Sequence, residues 1–128
     1  MPEADILVVE DELPLALMIQ ANLARHGYQA RCANDGQQAL DMVAAQRPDL
    51  IVLDIMLPVL SGWEVLQHLK GSPETEGIPV IVLTALGEDR DIAKGWGLGT
   101  DCYLVKPFEV ADLLILVERF LRATSAGR

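Results

Sequence analysis

The sequence predicts an α/β domain in which a five-stranded parallel sheet is doubly wound, with five helices on its two faces. Two observations support this prediction. Five short apolar segments recur along the chain, and each is followed by a segment whose apolar residues have helical spacing. The segments at residues 50–53 and 78–83 are almost entirely aliphatic, which is typical of strands covered on both faces. This alternation indicates βαβ units, whose right-handed crossovers build an open parallel sheet.

The expected strands are mostly apolar and lead directly into polar residues. They are residues 6–9, 28–33, 50–54, 78–83 and 102–105. The second strand is mixed in polarity, which indicates an edge strand with one side in water. Glu10 and Asp11 follow the first strand, Asp54 ends the third, Thr84 ends the fourth and Lys106 follows the fifth. Four strands therefore end at side chains that are capable of chemistry.

The expected helices lie between these strands and carry capping or breaking residues near their ends. They cover residues 13–26, 36–47, 63–70, 88–98 and 108–121. Gly27 is placed to close the first helix, and Asp35 and Ser61 can cap the second and third. Gly95 and Gly97 each weaken the fourth helix by about 1 kcal/mol relative to alanine. We therefore expect the fourth helix to be the least stable.

Size and composition favour one compact domain. The chain has 128 residues, of which 51% are hydrophobic, enough for a substantial core. We expect one domain over residues 1–124, followed by a polar tail or the start of a linker over residues 125–128. Ten basic and 19 acidic residues give a net charge of −9, which opposes direct binding of this domain to nucleic acid.

The cysteines and apolar segments bear on the cellular compartment. Cys32 and Cys102 lack the spacing of a metal site or a disulfide framework and are most simply small hydrophobic residues. No apolar run reaches the length of a membrane span, and the N-terminus lacks the basic and apolar regions of a signal peptide. We therefore expect a soluble, cytoplasmic protein that does not bind membranes.

The side chains at the strand ends can form one site. In open parallel sheets, ligands bind beyond the carboxyl ends of the strands, where strand order reverses. Several carboxylates in one crevice repel one another and need a cation, and their hard oxygens suit a hydrated Mg²⁺ ion. Lys106 and the Thr84 hydroxyl would complement a phosphoryl group, and Asp54 is the nucleophile so placed. This pattern favours phosphoryl transfer to Asp54.

Each of these residues also has a purely structural explanation. Asp54 by itself could cap a loop, and Thr84 could be an ordinary strand residue. Lys106 could be a surface charge, and the acids after the first strand could favour a helix N-terminus. The occurrence of all of them at strand ends favours a common site over separate explanations.

Four segments resemble the receiver domain of two-component response regulators. They are Leu-Val-Val-Glu-Asp-Glu at residues 7–12, Asp-Ile-Met-Leu-Pro at residues 54–58 with Gly62, Thr84-Ala85, and Tyr-Leu-Val-Lys-Pro-Phe at residues 103–108. The resemblance covers residues 5–121 and implies the strand order 2-1-3-4-5 of that fold. It also implies that a separate sensor histidine kinase or phosphotransfer protein supplies a phosphoryl group.

The resemblance implies a role for each residue of the site. Asp54 would be the phosphoacceptor, and Lys106 would contact the phosphoryl oxygens. Asp11 and the backbone carbonyl of Met56 would bind Mg²⁺ together with Asp54. Glu10 would act on the metal through a bound water.

The resemblance further implies a switch pair, Thr84 and Tyr103, and a cis peptide bond before Pro107. A phosphoryl group carries a charge of about −1.5 to −2 and would draw the Thr84 hydroxyl toward it. The Tyr103 ring could then turn into the space that is left. The surface formed by the fourth helix, fifth strand and fifth helix would change and control an output partner or domain.

Two side chains predict a long-lived phosphoryl group. Met56 lies two residues beyond the acceptor, and Leu86 lies two residues beyond Thr84. In relatives these positions influence hydrolysis, and neither apolar side chain can orient an attacking water. We therefore expect slow autodephosphorylation, in a signalling protein whose only catalysis is Mg²⁺-dependent phosphoryl transfer to and from itself.

The expected output surface carries Cys102, Ile115 and Leu116 where regulators with a winged-helix DNA-binding domain usually have charged residues that pair two copies. An apolar patch at this place could serve a homodimer or another partner. Ile115 and Leu116 could equally be scattered surface residues.

Three other functions fit parts of the sequence. A flavin-binding flavodoxin-like module is disfavoured, because the acids at residues 10–12 would repel the flavin phosphate. An aspartyl-phosphate hydrolase commonly needs a second acid two residues beyond its nucleophile, where Met56 stands. A pseudo-receiver that binds a partner without phosphorylation is the stronger alternative, although Asp54 and Lys106 are both intact.

Overall fold

The computed structural model describes residues 3–85 and 102–126. Its strands are β1 (Asp5–Val9), β2 (Gln29–Ala33), β3 (Leu50–Asp54), β4 (Val80–Thr84) and β5 (Cys102–Val105). Its helices are α1 (Leu13–Arg25), α2 (Gly36–Ala45), α3 (Gly62–Lys70) and a C-terminal helix (Val110–Ala126). The helix expected at residues 88–98 lies outside the described residues. Within the described ranges, no helix is both long and apolar enough to cross a bilayer.

The five strands form one parallel sheet in the order β2-β1-β3-β4-β5, which confirms the predicted fold class and strand order. β2 lies at an edge, as its mixed polarity predicts. β3 is central and pairs with β1 and β4, so every residue from Leu50 to Asp54 is buried. The carboxyl end of β3 therefore lies between the ends of two other buried strands.

Alternate residues of the central strands pack into two apolar layers, one on each face of the sheet. The layer beside α2 and α3 includes Leu7, Val9, Ile51, Leu53, Leu66 and Val82. The layer beside α1 and the C-terminal helix includes Ile6, Val8, Ile19, Leu50, Val52 and Val117. Full burial of one such side chain stabilises the fold by about 1.5–3 kcal/mol. These two layers provide the stability that holds the strand ends in place.

The opposite end of the sheet is held by a polar network around Asp5. The Arg31 guanidinium donates to both carboxylate oxygens of Asp5, at 2.9 and 2.8 Å, and Gln46 Nε2 donates to Oδ2 at 3.0 Å. The Asp5 N–H donates to the Asp49 carboxylate at 2.7 Å. This network links β1 to the edge strand β2 and to the segment before β3, far along β1 from Glu10.

The start of α3 lies against the end of β3. The Gly62 N–H donates to the Ile55 carbonyl at 2.8 Å. A Cβ on Gly62 would lie 2.4 Å from the Asp54 carbonyl oxygen and 2.6 Å from the Ile55 Cα, so the approach requires glycine. Ser61 caps the helix as expected, in a capping box in which Ser61 and Glu64 exchange hydrogen bonds between side chain and backbone.

We expect Gly62→Ala to lower the free energy of unfolding by about 1–3 kcal/mol, because the new methyl group would displace the backbone of β3. Gly77→Ala is the control, since the nearest atom to its Cβ would be an Arg47 side-chain nitrogen at 3.8 Å. Urea unfolding followed by circular dichroism measures both variants. Without the close approach, alanine at position 62 should not destabilise α3, because alanine forms helices better than glycine. Equal stability of the two variants would therefore contradict the close approach.

Candidate functional site

The carboxyl ends of β1, β3, β4 and β5 bring the predicted side chains to one edge of the sheet. Asp54 is the last residue of β3 and Thr84 is the last residue of β4. Glu10 and Lys106 follow the last residues of β1 and β5. The parallel register aligns these strand ends, so residues that are 96 positions apart in sequence come into contact.

Three carboxylates gather at this edge. Glu10, Asp11 and Asp54 each offer an oxygen, and the three oxygens lie within 4.8 Å of one another. Glu10 is 0% exposed and Asp54 is 2% exposed, whereas Asp11 is open to solvent. Like charges at this separation repel strongly when they are buried. The cluster therefore favours a cation or a proton, with access from the Asp11 side.

Lys106 partly compensates the cluster. Its Nζ lies 3.0 Å from Asp54 Oδ2 and 3.5 Å from Glu10 Oε1. Burial lowers the pKa of the ammonium group, but the hydrogen bond and charge of Asp54 and the charge of Glu10 outweigh this effect and leave the pKa above its ordinary value. Lys106 is therefore a fixed positive charge against the Asp54 carboxylate at neutral pH.

The other oxygen of Asp54 is held by the backbone. Asp54 Oδ1 accepts a hydrogen bond from the Met56 N–H at 3.1 Å. The Met56 side chain is 69% exposed and lines an open cavity of about 660 Å³, together with Asp11, Glu12 and Lys106. Met56 thus fixes the acceptor through its backbone, while its apolar side chain lies at the mouth of the site.

The surroundings of Glu10 raise the pKa of its carboxyl group. Its burial, its hydrogen bond with Asp54 and the negative charge of Asp54 raise its pKa from 4.5 to about 7. The Glu12 N–H donates to Glu10 Oε2 at 3.1 Å and, with Lys106, opposes this rise. Glu10 therefore exchanges a proton near neutral pH. The effect of the Glu12 N–H on the pKa of Glu10 could not be predicted from the sequence, because every residue except proline has a backbone N–H.

The predicted switch residues lie on the two neighbouring strands. Thr84 is buried, and its carbonyl accepts the Lys106 N–H at 2.7 Å. Tyr103 is half-buried on β5, and its ring lies edge-on to Trp63, with 6.5 Å between the ring centroids. The peptide bond between Lys106 and Pro107 is cis. Leu86 lies outside the described residues.

The expected apolar output surface is described only in part. Ile115 is 55% exposed on the C-terminal helix. Cys102 and Leu116 are half-buried and pack against the core layer that contains Val117. Ile115 is therefore available to a partner, whereas Leu116 contributes to the packing of its own helix.

Comparison with known families identifies the class of protein. Residues 6–118 match the family described as "Response regulator receiver domain". The chain therefore belongs to the response regulator receiver family, whose members act in phosphorylation-dependent signalling.

Among curated relatives, the transcriptional regulatory protein PcoR of Escherichia coli is 43% identical over 117 residues. The alignment covers 91% of this chain and 51% of PcoR. The chain spans about half the length of the curated relatives it matches. The similarity therefore concerns one domain of those proteins.

Solved structures of receiver domains match most of this chain. The receiver domain of a signal transduction histidine kinase from Syntrophus aciditrophicus superposes with a TM-score of 0.87 at 34% identity, covering 94% of this chain and 91% of that chain. The receiver domain of a sensor histidine kinase from Pseudomonas aeruginosa superposes with a TM-score of 0.84 at 32% identity, covering 94% and 98%. That structure has a magnesium ion coordinated in its active-site cleft.

We expect the Mg²⁺ affinity of this chain to fall as the pH drops through about 7, because Glu10 then takes up a proton and the cluster loses one negative charge. Above about pH 7 the affinity should level off. Because one proton is involved, the Mg²⁺ affinity should change by at most about tenfold per pH unit. Isothermal titration calorimetry with Mg²⁺ between about pH 6 and about pH 8 measures this dependence.

Glu10→Gln is the control for this dependence. The variant should bind Mg²⁺ more weakly at high pH, and its affinity should change less across the same range. The assignment to Glu10 would be wrong if the variant kept the pH profile of the wild type.

Proposed function

We propose that this domain is a phosphorylation-dependent switch in which Asp54 accepts a phosphoryl group from a histidine kinase or a phosphotransfer protein. The observation that carries the proposal is the contact of 3.0 Å between Lys106 Nζ and Asp54 Oδ2 inside the acidic cluster. A buried carboxylate beside a fixed ammonium group and two further acids has the parts that phosphoryl transfer needs, namely a positioned nucleophile and charge neutralisation. Membership of the receiver family supports this assignment.

The donor set fits Mg²⁺. Carboxylate oxygens are hard ligands, and Mg²⁺ typically keeps several waters and takes only one or two carboxylates. Asp11 and Asp54 would hold the ion with the Met56 carbonyl, and Glu10 would act through a water. The exposure of Asp11 leaves room for the remaining waters. Bound there, the ion would neutralise the negative charge between the acceptor and the incoming phosphoryl group.

In the proposed transfer, a carboxylate oxygen of Asp54 attacks the phosphorus of a phosphohistidine. A P–O bond forms, the P–N bond breaks, and the imidazole leaves. Lys106 then contacts the oxygens of the transferred group through its ammonium. The Met56 N–H keeps the carboxylate oriented, because it donates to the Asp54 oxygen that Lys106 does not contact.

The readout is proposed to follow from the new negative charge. The Thr84 hydroxyl would move toward the phosphoryl oxygens, and the Tyr103 ring would turn into the space beside it. The surface of β5 and the C-terminal helix would then engage an output partner or domain. The net charge of −9 supports an output that this domain controls without contacting nucleic acid itself.

Intact-mass measurement tests the acceptor directly. Incubation with acetyl phosphate or carbamoyl phosphate and Mg²⁺ should add the mass of one phosphoryl group, and Asp54→Ala should abolish the addition. Asp41→Ala is the matched control, because Asp41 is an exposed carboxylate on α2. A wild-type chain that gains no phosphoryl group would favour the pseudo-receiver alternative, and an adduct that survives in Asp54→Ala would place the acceptor elsewhere.

Met56 provides a second test, which concerns the lifetime of the phosphoryl group. We expect Met56→Asn to lose phosphate about two- to tenfold faster than the wild type, because one hydrogen bond from an exposed amide would orient the attacking water. Met56→Leu is the control, since it keeps an apolar side chain and should match the wild type. The decay of the phosphorylated mass after removal of the donor gives each rate. Equal rates for the asparagine and leucine variants would refute the proposed slow hydrolysis through Met56.

A further inference from the structure

Trp63 is a large aromatic residue placed between the acceptor strand and the proposed switch tyrosine. It is the second residue of α3 and only 5% exposed. Its ring faces that of Tyr103 edge-on, with an angle of 66° between the ring planes and 6.5 Å between the centroids. Tyr103 packs against the same core layer as Trp63 and Ile55. Trp63 thus connects α3 to β5 across the top of this layer.

The backbone of Trp63 is tied to the acceptor strand. The preceding residue, Gly62, donates its N–H to the Ile55 carbonyl and approaches the Asp54 carbonyl closely enough to exclude a Cβ. The capping box of Ser61 and Glu64 fixes the first turn of α3 around it. Gly62 therefore joins the backbone of Asp54 and Ile55 to Trp63 by direct contact.

We propose that Trp63 is a positioning residue of the switch: its indole sets the half-buried position of the Tyr103 ring and couples that ring to the backbone that carries Asp54. This inference rests on the proposed function and adds a residue of α3 to the Thr84 and Tyr103 pair. An edge-to-face ring pair depends on orientation, so rotation of the Tyr103 ring breaks or remakes the contact. Such a pair changes an equilibrium by about two- to tenfold, which is enough to bias a two-state switch.

A core-filling role for Trp63 makes a different prediction. If the indole only occupied volume, its loss would weaken the domain without a specific effect on Tyr103. Truncation of another buried side chain of α3 would then alter stability and the Tyr103 ring in the same way. The test must therefore report on the Tyr103 ring itself.

The experiment uses fluorine NMR of protein labelled with 3-fluorotyrosine. The chain has two tyrosines, so Tyr28→Phe leaves one resonance, that of Tyr103. In this background, Mg²⁺ with beryllofluoride as a phosphoryl mimic should move the resonance. Trp63→Leu should shift the resonance without the mimic and reduce the movement on its addition to less than about half. Trp63→Phe, which keeps a ring, should retain most of the movement.

Leu69→Ala is the matched control, because Leu69 is buried on α3 in the same core layer. It should lower stability and leave the movement of the Tyr103 resonance unchanged. The proposal would be overturned if Trp63→Leu responded like the wild type, or if Leu69→Ala impaired the response as strongly. Intact mass after acetyl phosphate treatment separates the two proposals. No adduct on the wild type refutes the proposed function, and a normal adduct with a Tyr103 response independent of Trp63 refutes only the role of Trp63.

Discussion

The site depends on a charge imbalance that the fold holds in place. In the part of the chain that the structure describes, three carboxylates cluster, two of them are buried, and the ammonium group of Lys106 contacts those two. Two unit charges 4 Å apart interact by about 1 kcal/mol in bulk water and about 4 kcal/mol near a protein surface. The pairing of β1 with β3 and the two apolar layers hold the strand ends together against this repulsion. Burial is the main cause of the raised pKa of Glu10, and the hydrogen bond and negative charge of Asp54 raise it further.

In the proposed switch, a charge change at Asp54 would reach other strands through the contacts of Lys106. Lys106 contacts Asp54 through its side chain and Thr84 through its backbone N–H, so one residue joins the acceptor to the end of β4. Tyr103 lies on β5, the strand that ends just before Lys106, and its ring contacts Trp63 of α3. A negative group on Asp54 would change the balance around Lys106 first. The residues bonded or packed against Lys106 and Asp54 are those through which the change would spread.

The sequence predicts the sheet and the acidic edge because both follow from local patterns. Unbroken aliphatic runs indicate buried parallel strands, and the ends of parallel strands share an edge, so these patterns alone place Asp54 and Lys106 together. The Gly62 contact and the Trp63–Tyr103 pair could not be predicted, because they depend on how closely α3 approaches β3 and β5. The same holds for Val59, a β-branched residue with a φ of 70°, whose strained conformation is set by the loop around it.

Met56 shows how such a site can keep its geometry while its kinetics vary. The backbone N–H of Met56 holds the acceptor carboxylate, and this contact is the same for any residue except proline. The side chain of Met56 is exposed at the mouth of the cavity, so its replacement does not disturb the buried core. A substitution at this position can therefore change the access and orientation of water without moving Asp54. Under the proposed function, the Met56 side chain would thus affect the lifetime of a phosphoryl group, while the Met56 N–H would keep Asp54 oriented to accept one.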